Sequence, residues 1–146
     1  MTMTIRGKAP DDVDALHLLW AASVRATHHF LSAADFAEIS ALVRDRYLPA
    51  AALDVAVDAG DRPLGFLGMS GTHIDALFVD PAVHGRGIGR ALVAYAAARA
   101  PVLSVDVNEQ NEGAVAFYGR LGFRRTGRSP TDDEGRPYPL LHLRAG

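Results

Sequence analysis

An apolar segment that runs into a glycine-rich loop and then into an amphipathic helix constrains this 146-residue chain more than any other feature. The apolar segment covers residues 75–79, the loop contains Gly85, Gly87 and Gly89, and the helical pattern follows directly. At the start of such a helix, the first backbone N–H groups have no partner inside the helix, and the helix dipole favours negative charge. The segment therefore predicts a binding site for a phosphate-bearing ligand.

Composition narrows the class of protein. The chain is 49% hydrophobic and 22% charged, which is typical of a globular chain, and its length predicts one domain over residues 1–146. A net charge of −2 argues against a nucleic-acid partner. The absence of cysteine excludes disulfides, thiolate metal sites and cysteine nucleophiles. Neither a membrane-spanning run nor a signal peptide is recognisable, so we expect a cytoplasmic protein with no membrane partner.

Periodicity and turn signals predict a mixed α/β chain without internal repeats. Strands are expected at residues 3–8, 53–58, 63–70, 73–79, 102–107, 124–127 and 138–143. Helices are expected at residues 10–25, 32–49, 87–100 and 111–121. Pro10 suits a first helical position, Ser32 with Asp35 resembles a capping box, and Asn108 and Asn111 are candidate caps of the last helix.

Three kinds of phosphate loop can be compared with the glycine segment. A P-loop is excluded, because Gly85, Gly87 and Gly89 are too closely spaced and no lysine follows them. A dinucleotide-binding loop gains support from Asp106, an acid near the end of the next strand. A loop of this kind needs a third glycine, whose position is taken here by Arg90 or Leu92, and the glycine segment begins too far beyond the strand.

The third kind of loop fits the chain best. Residues 77–81 and 85–92 resemble motif A of the GNAT superfamily of N-acetyltransferases, and residues 111–123 resemble its motif B, Asn-x-x-Ala-x-x-Phe-Tyr-x-x-x-Gly-Phe. The two motifs follow in order with one strand between them, and the element order along the whole chain is similar to that of the family. Further short segments, among them residues 26–28, 107–112 and 138–141, are similar to one bacterial subgroup of this family.

The resemblance implies a fold and an activity. The fold would be an α/β (mixed α+β) acyltransferase with a central, mostly antiparallel sheet of six to seven strands and about four flanking helices. The activity would be direct transfer of an acetyl group from acetyl-CoA to a primary amine, since no cysteine could carry the acetyl group. A protein lysine, a polyamine and an amino acid all remain as acceptors. A non-catalytic acetyl-CoA sensor and a dinucleotide oxidoreductase remain as competing functions, and either a monomer or a homodimer is expected.

The resemblance also implies which residues hold the cofactor. The N–H groups of residues 86–91 would bind the pyrophosphate, and the backbone of residues 77–79 would pair with the pantetheine arm as an added strand does. The full predicted set is Leu77, Phe78, Val79, His84, Gly85, Arg86, Gly87, Ile88, Gly89, Arg90, Asn108, Asn111, Phe117 and Tyr118. His84 departs from the family, which usually has Gln or Arg there, so a weaker affinity for the cofactor is expected.

Three residues are predicted to carry the chemistry. Tyr118 matches the family's tyrosine that protonates the coenzyme A thiolate, although a tyrosine at this position could also serve only to pack the helix. His73 stands where the family often has a glutamate base, and strand alternation would place it on one face with Asp75, Leu77 and Val79. His73 and Asp75 could therefore act together as the base, or simply form polar contacts at a strand end.

The acceptor side is less well marked. The segment between the first two helices borders the acceptor in this family, so His28 and Phe30, with Trp20 from the first helix, are predicted to contact the substrate, although Trp20 could instead serve only to pack that helix. Adjacent His28 and His29 do not form a zinc-ligand pattern, and no metal is expected.

Overall fold

The computed structural model describes residues 2–146. Seven strands form one sheet in the order β1-β2-β3-β4-β5-β7-β6, and helices cover its faces. The strands are β1 (Thr4–Gly7), β2 (Leu53–Val57), β3 (Pro63–Ser70), β4 (His73–Val79), β5 (Leu103–Asn108), β6 (Arg124–Ser129) and β7 (Leu140–Ala145). The helices are α1 (Val13–Thr27), α2 (Ala33–Leu42), α3 (Leu48–Ala50), α4 (Ile88–Ala97) and α5 (Glu112–Arg120). A π-helical turn, Val43–Tyr47, joins α2 to α3, and single 3-10 turns cover Pro10–Asp12 and Pro81–Val83.

All neighbouring strands are antiparallel except β4 and β5, which are parallel. This arrangement confirms the predicted mostly antiparallel sheet. Among residues 2–146, no helix is both long enough and apolar enough to cross a membrane.

Two hydrophobic clusters cover the two faces of the sheet. On one face, α1 and α2 pack over β2, β3 and the second half of β4, with Leu16, Trp20 and Phe66 at the centre of the cluster. On the other face, α4 and α5 pack over β3, β4, β5 and β7, around buried residues such as Leu92 and Val105. Side chains of the β4 residues therefore point toward two different helical layers.

Several strands and helix caps lie where the local sequence pattern predicted them. β3 and β4 have the predicted bounds, and the predicted caps at Ser32 and Asn111 are present, because their side chains accept hydrogen bonds from the N–H groups of Asp35 and Ala114 at 3.1 Å. Asn108 is not a helix cap. It ends β5, and its carbonyl oxygen accepts a hydrogen bond from the Asn111 N–H at 2.9 Å.

The expectation that His73, Asp75, Leu77 and Val79 share a face is wrong. Opposite β4, Met69 pairs with Ile74 and Gly68 with Ala76, so Asp75 is an extra residue in a β-bulge. The bulge breaks the alternation. Ile74 packs with Leu77 and Val79 on the α4 face, while Ala76 and Phe78 pack on the α1 face.

Candidate active site

An opening between β4 and β5 is the structural basis of the site. The ladder between these strands contains two residue pairs, His73 with Ser104 and Ile74 with Val105. The bulge at Asp75 follows directly, and a bulge bends the strand that carries it. The rest of β4 diverges from β5, which continues to pair with β7 up to Asn108. The β5-facing backbone of residues 77–79 therefore borders a wedge in which an extended ligand can pair with it.

The loop after β4 positions the first turn of α4 beside this wedge. The Asp80 side chain accepts a hydrogen bond from the Ala82 N–H at 2.9 Å and fixes the first turn of the loop. Gly85 and Gly87 have φ values of 80° and 82°, a left-handed conformation that glycine adopts without strain. Gly87 caps α4 without a side-chain hydrogen bond, so the N–H groups of the first helical turn remain available to an anion.

Helix α5 packs close to the start of α4 and forms another wall of the site. A Cβ atom at Gly89 would lie 3.2 Å from Cζ of Phe117 and 3.6 Å from Cγ2 of Val79, so only glycine leaves the space between these side chains open. The ring of Tyr118 is buried edge-to-face against Phe117 and Phe123, with centroid distances of 5.1 Å to each. Burial raises the pKa of the Tyr118 phenol above its usual value, so the phenol remains protonated well into the alkaline range.

These walls enclose a cavity of about 670 Å³. Most of the predicted cofactor residues line it, namely Leu77, Phe78, Val79, His84, Gly85, Gly87, Ile88, Gly89, Arg90, Asn111, Phe117 and Tyr118. Arg86 and Asn108 do not line it. The cavity also reaches α1, where Ser23 and His28 contribute to its wall, so it passes through the wedge from the α4 face to the α1 face.

Several lining residues were not predicted from the sequence. They are Ser23, Ala26, Thr27, Pro81, Val83, Gly113, Ala114, Ala116 and Arg120. Arg120 follows Phe117 by three residues in α5 and so lies on the same side of that helix, a spacing that could have identified it. Together with Arg90, it adds cationic groups to a largely glycine-lined anion site. Ala26 and Thr27 stand in a segment similar to the bacterial subgroup but outside motifs A and B, and the fold brings them to the wedge.

Comparison with known proteins identifies the architecture. The family model described as an acetyltransferase (GNAT) domain matches residues 25–138. The chain belongs to the GNAT acetyltransferase family. Peptidyl-lysine N-acetyltransferase YjaB of Escherichia coli is 52% identical over 143 residues, which cover 98% of this chain and 97% of that protein. The expected similarity to one bacterial subgroup is thereby confirmed, and the dinucleotide oxidoreductase is set aside.

Two solved structures extend the comparison. The solution structure of apo-form YjaB from Escherichia coli has a TM-score of 0.94 and 51% sequence identity, and the match covers 99% of this chain and 97% of that one. A PaiA N-acetyltransferase from Thermoplasma acidophilum, solved in complex with coenzyme A, shares the fold with a TM-score of 0.81, at 17% identity and with 99% and 98% of the two chains covered. The present chain is therefore an acetyl-CoA-dependent N-acetyltransferase, and its wedge, glycine loop and cavity fit an extended, phosphate-bearing cofactor.

The α1–α2 segment, predicted to border the acceptor, contacts the β6–β7 loop. The Tyr138 hydroxyl donates a hydrogen bond to Asp35 and accepts one from the Ser32 N–H, and Arg136 pairs with Glu38 at 2.5 Å. Phe30 packs between His28 and Tyr138, with ring centroids 5.2 and 5.8 Å away. Of the predicted substrate residues, His28 lines the cavity, Phe30 does not line it but packs against the His28 ring, and Trp20 lines a second cavity.

His73 and Asp75 do not form the predicted pair. His73 places Nδ1 2.8 Å from Ser104 Oγ and Nε2 3.6 Å from Asp106 Oδ2, while Asp75 accepts a hydrogen bond from the Ser70 hydroxyl. The bulge is the physical reason, because it turns Asp75 away from the side chains of β5. Asp106 also accepts a hydrogen bond from His142 Nδ1 at 2.6 Å, so two imidazoles share one carboxylate.

The His84 departure leads to a direct prediction. His84 lines the cavity beside the glycine loop. The family usually has Gln or Arg at this position. His84→Arg adds a fixed charge and several donors at this position, so we expect acetyl-CoA to bind about three- to tenfold more tightly. Calorimetric titration at two salt concentrations checks this, because the gain should shrink as salt screens the added charge. An unchanged Kd would show that residue 84 does not contact the phosphates.

Proposed function

We propose that this enzyme acetylates the ε-amino group of lysine side chains in peptides or proteins. The observation that carries the proposal is similarity to YjaB, named a peptidyl-lysine N-acetyltransferase, along nearly the whole length of both chains. The cavity supports it, since it extends from the glycine loop to Ser23 and His28 and so leaves space for an acceptor on the α1 side of the wedge. A cytoplasmic location and a monomeric or homodimeric state remain predictions.

The chain's own groups would perform the transfer as follows. Acetyl-CoA supplies an activated thioester whose carbonyl carbon is attacked by the amine nitrogen, so that a C–N bond forms and the C–S bond breaks. The backbone N–H groups of residues 77–79 border the wedge and would hold the cofactor arm, with one of them polarising the thioester oxygen. The first turn of α4 and Arg90 would hold the phosphates.

Tyr118 would act on the departing thiolate. A thiol has a pKa of about 8.5 and a phenol a pKa of about 10, and burial raises the pKa of Tyr118 further. The phenol would therefore stabilise the thiolate chiefly by donating a hydrogen bond, and full proton transfer would be uphill. Its position in the cavity wall, beside Phe117, supports this role.

His73 would serve as the base with Asp106 in place of Asp75. His73 stands in the first of the two residue pairs that join β4 to β5, one residue before Ile74, after which the wedge opens. The Ser104 hydroxyl fixes one ring nitrogen, and the 3.6 Å separation of the other from Asp106 leaves room for a bridging water. The proton lost by the amine would pass to this imidazole, and Asp106 would stabilise the resulting positive charge.

Replacing His73 tests the base. We expect His73→Ala to lower kcat/KM for a lysyl peptide by at least about tenfold at pH 7, since a positioned base contributes about a hundredfold or more. The defect should shrink as pH rises, because a lysine amine has a pKa of about 10.4 and loses its proton unaided at high pH. A pH–rate profile that keeps its wild-type shape would refute the role. His29→Ala, an exposed histidine in the α1–α2 segment, is the control.

The acceptor class is tested by comparing amines directly. Thiol release would be measured with a lysyl peptide, spermidine and free amino acids at saturating acetyl-CoA, and mass spectrometry would locate the acetyl group. The proposal predicts the highest kcat/KM for the peptide, with the acetyl group on lysine Nζ. A higher kcat/KM for spermidine or for a free amino acid would instead assign a small-molecule acceptor.

A further inference from the structure

A second, smaller cavity lies on the α1 face of the sheet, beside the bulge in β4. It has a volume of about 200 Å³ and sits between α1, the π-helical turn and the strands β3 and β4. Four aromatic side chains, Trp20, Tyr47, Phe66 and Phe78, make up most of its wall. Phe78 also lines the larger cavity, so the two cavities adjoin at this ring.

One charged side chain lines this otherwise apolar space. Asp75, the extra residue of the bulge, is exposed to solvent and contributes to its wall, with the carboxylate hydrogen-bonded to the Ser70 hydroxyl. Among the ion pairs described for residues 2–146, none involves Asp75. Burial, and after it the nearby Asp75 carboxylate, raise the pKa of Tyr47 to about 12.

A carboxylate beside several aromatic faces is a chemical match for an alkylammonium group. The rings bind the aliphatic part by apolar contact and attract a cation through their electron-rich faces, while the carboxylate supplies the opposite charge. A neutral or anionic ligand would gain no attraction from the carboxylate. Charge complementarity therefore selects a flexible, positively charged side chain as the occupant.

We propose that this second cavity, walled by Trp20, Tyr47, Phe66 and Phe78 and bearing Asp75, binds the aliphatic chain and ammonium group of the acceptor lysine before transfer. The inference rests on the proposed function and assigns the specificity for a long alkylammonium to this cavity. Asp75 thereby takes a binding role in place of the paired base expected from the sequence. His73, on the other side of the bulge, keeps the separate role of base.

The charge is tested by Asp75→Asn, which keeps the shape and the hydrogen-bonding capacity of the side chain. We expect KM for a lysyl peptide to rise about tenfold at low salt with kcat changed by less than twofold, and the difference to shrink at high salt. The Kd for acetyl-CoA should stay unchanged, because Asp75 does not line the larger cavity. A loss of kcat together with an altered pH profile would make Asp75 a base instead and would overturn the proposal.

A second, independent test is to fill the second cavity with a larger side chain. Val43 lines the cavity from the π-helical turn and is partly buried, so Val43→Phe should occupy part of the volume and raise KM for the lysyl peptide at least fivefold. The matched control is Leu42→Phe, one residue earlier, where the side chain is 39% exposed and does not line the cavity. Unchanged acetyl-CoA affinity in both variants would show that they fold.

The outcomes separate this inference from the proposed function. If the wild type acetylates small amines in preference to lysyl peptides, the proposed function fails. If the wild type acetylates lysyl peptides but Asp75→Asn and Val43→Phe both keep KM within twofold, the proposed function stands and the assignment of the second cavity is overturned.

Discussion

Tyr118→Phe is expected to lower kcat at least tenfold while leaving the Kd for acetyl-CoA within twofold. The variant removes one oxygen from a ring that is held by Phe117 and Phe123, so the aromatic packing and the cavity wall persist. What is lost is a hydrogen bond to a developing thiolate, and a hydrogen bond to a charged group contributes about 1.5–3 kcal/mol. That range corresponds to roughly ten- to more than a hundredfold in rate.

Steady-state thiol release and calorimetric titration measure the two quantities separately. The pKa of Tyr118 is raised, so the wild-type phenol stays protonated and the kcat ratio of wild type to variant should be nearly constant from pH 7 to pH 9. Tyr95→Phe, on the outer part of α4 near Arg99, controls for the loss of a tyrosine hydroxyl elsewhere. An unchanged kcat in Tyr118→Phe would show that Tyr118 has a packing role alone.

Gly89→Val is expected to weaken acetyl-CoA binding by about thirtyfold or more. The added side chain would begin 3.2 Å from the Phe117 ring and 3.6 Å from Val79, within the space that separates α4 from α5. A cofactor displaced from the first turn of α4 would lose at least one charge-assisted hydrogen bond, or about 2 kcal/mol. Calorimetric titration gives the change in Kd directly.

Gly119→Ala is the matched control for that variant. Gly119 lies in α5 near Tyr118, yet a Cβ atom there would meet open space. Alanine favours a helix over glycine by up to about 1 kcal/mol, so Tm should rise slightly and the Kd for acetyl-CoA should not change. Full cofactor affinity in Gly89→Val would mean that the phosphates do not bind at the start of α4.

The elements that could be predicted well from the sequence are those with local causes. The bounds of β4, His73–Val79, follow from an apolar run that ends before Asp80 and Pro81, and the caps Ser32 and Asn111 are single side chains acting within one turn. The glycine loop belongs to the same class, since its left-handed residues and free N–H groups are encoded in consecutive positions. Most of the predicted cofactor residues therefore line one cavity.

The arrangement of the polar residues depends on partners far away in the chain. Asp75 is an extra residue because its neighbours Ile74 and Ala76 pair with the consecutive residues Met69 and Gly68 of β3, which alternation within β4 cannot reveal. The partners of His73 lie 31 and 33 positions further along, at Ser104 and Asp106, and they meet it because β4 and β5 are parallel there. Pairing of strands thus determined which carboxylate accompanies the histidine.

Every role assigned to these residues requires that the wedge, the glycine loop and the cavity bind acetyl-CoA. Calorimetric titration of the wild-type protein with acetyl-CoA at pH 8, with NADH and desulfo-coenzyme A titrated in parallel, measures that binding. We expect micromolar binding of acetyl-CoA, retained binding of desulfo-coenzyme A and no binding of NADH. Absence of acetyl-CoA binding in both the wild type and His84→Arg would contradict the assignment of this site.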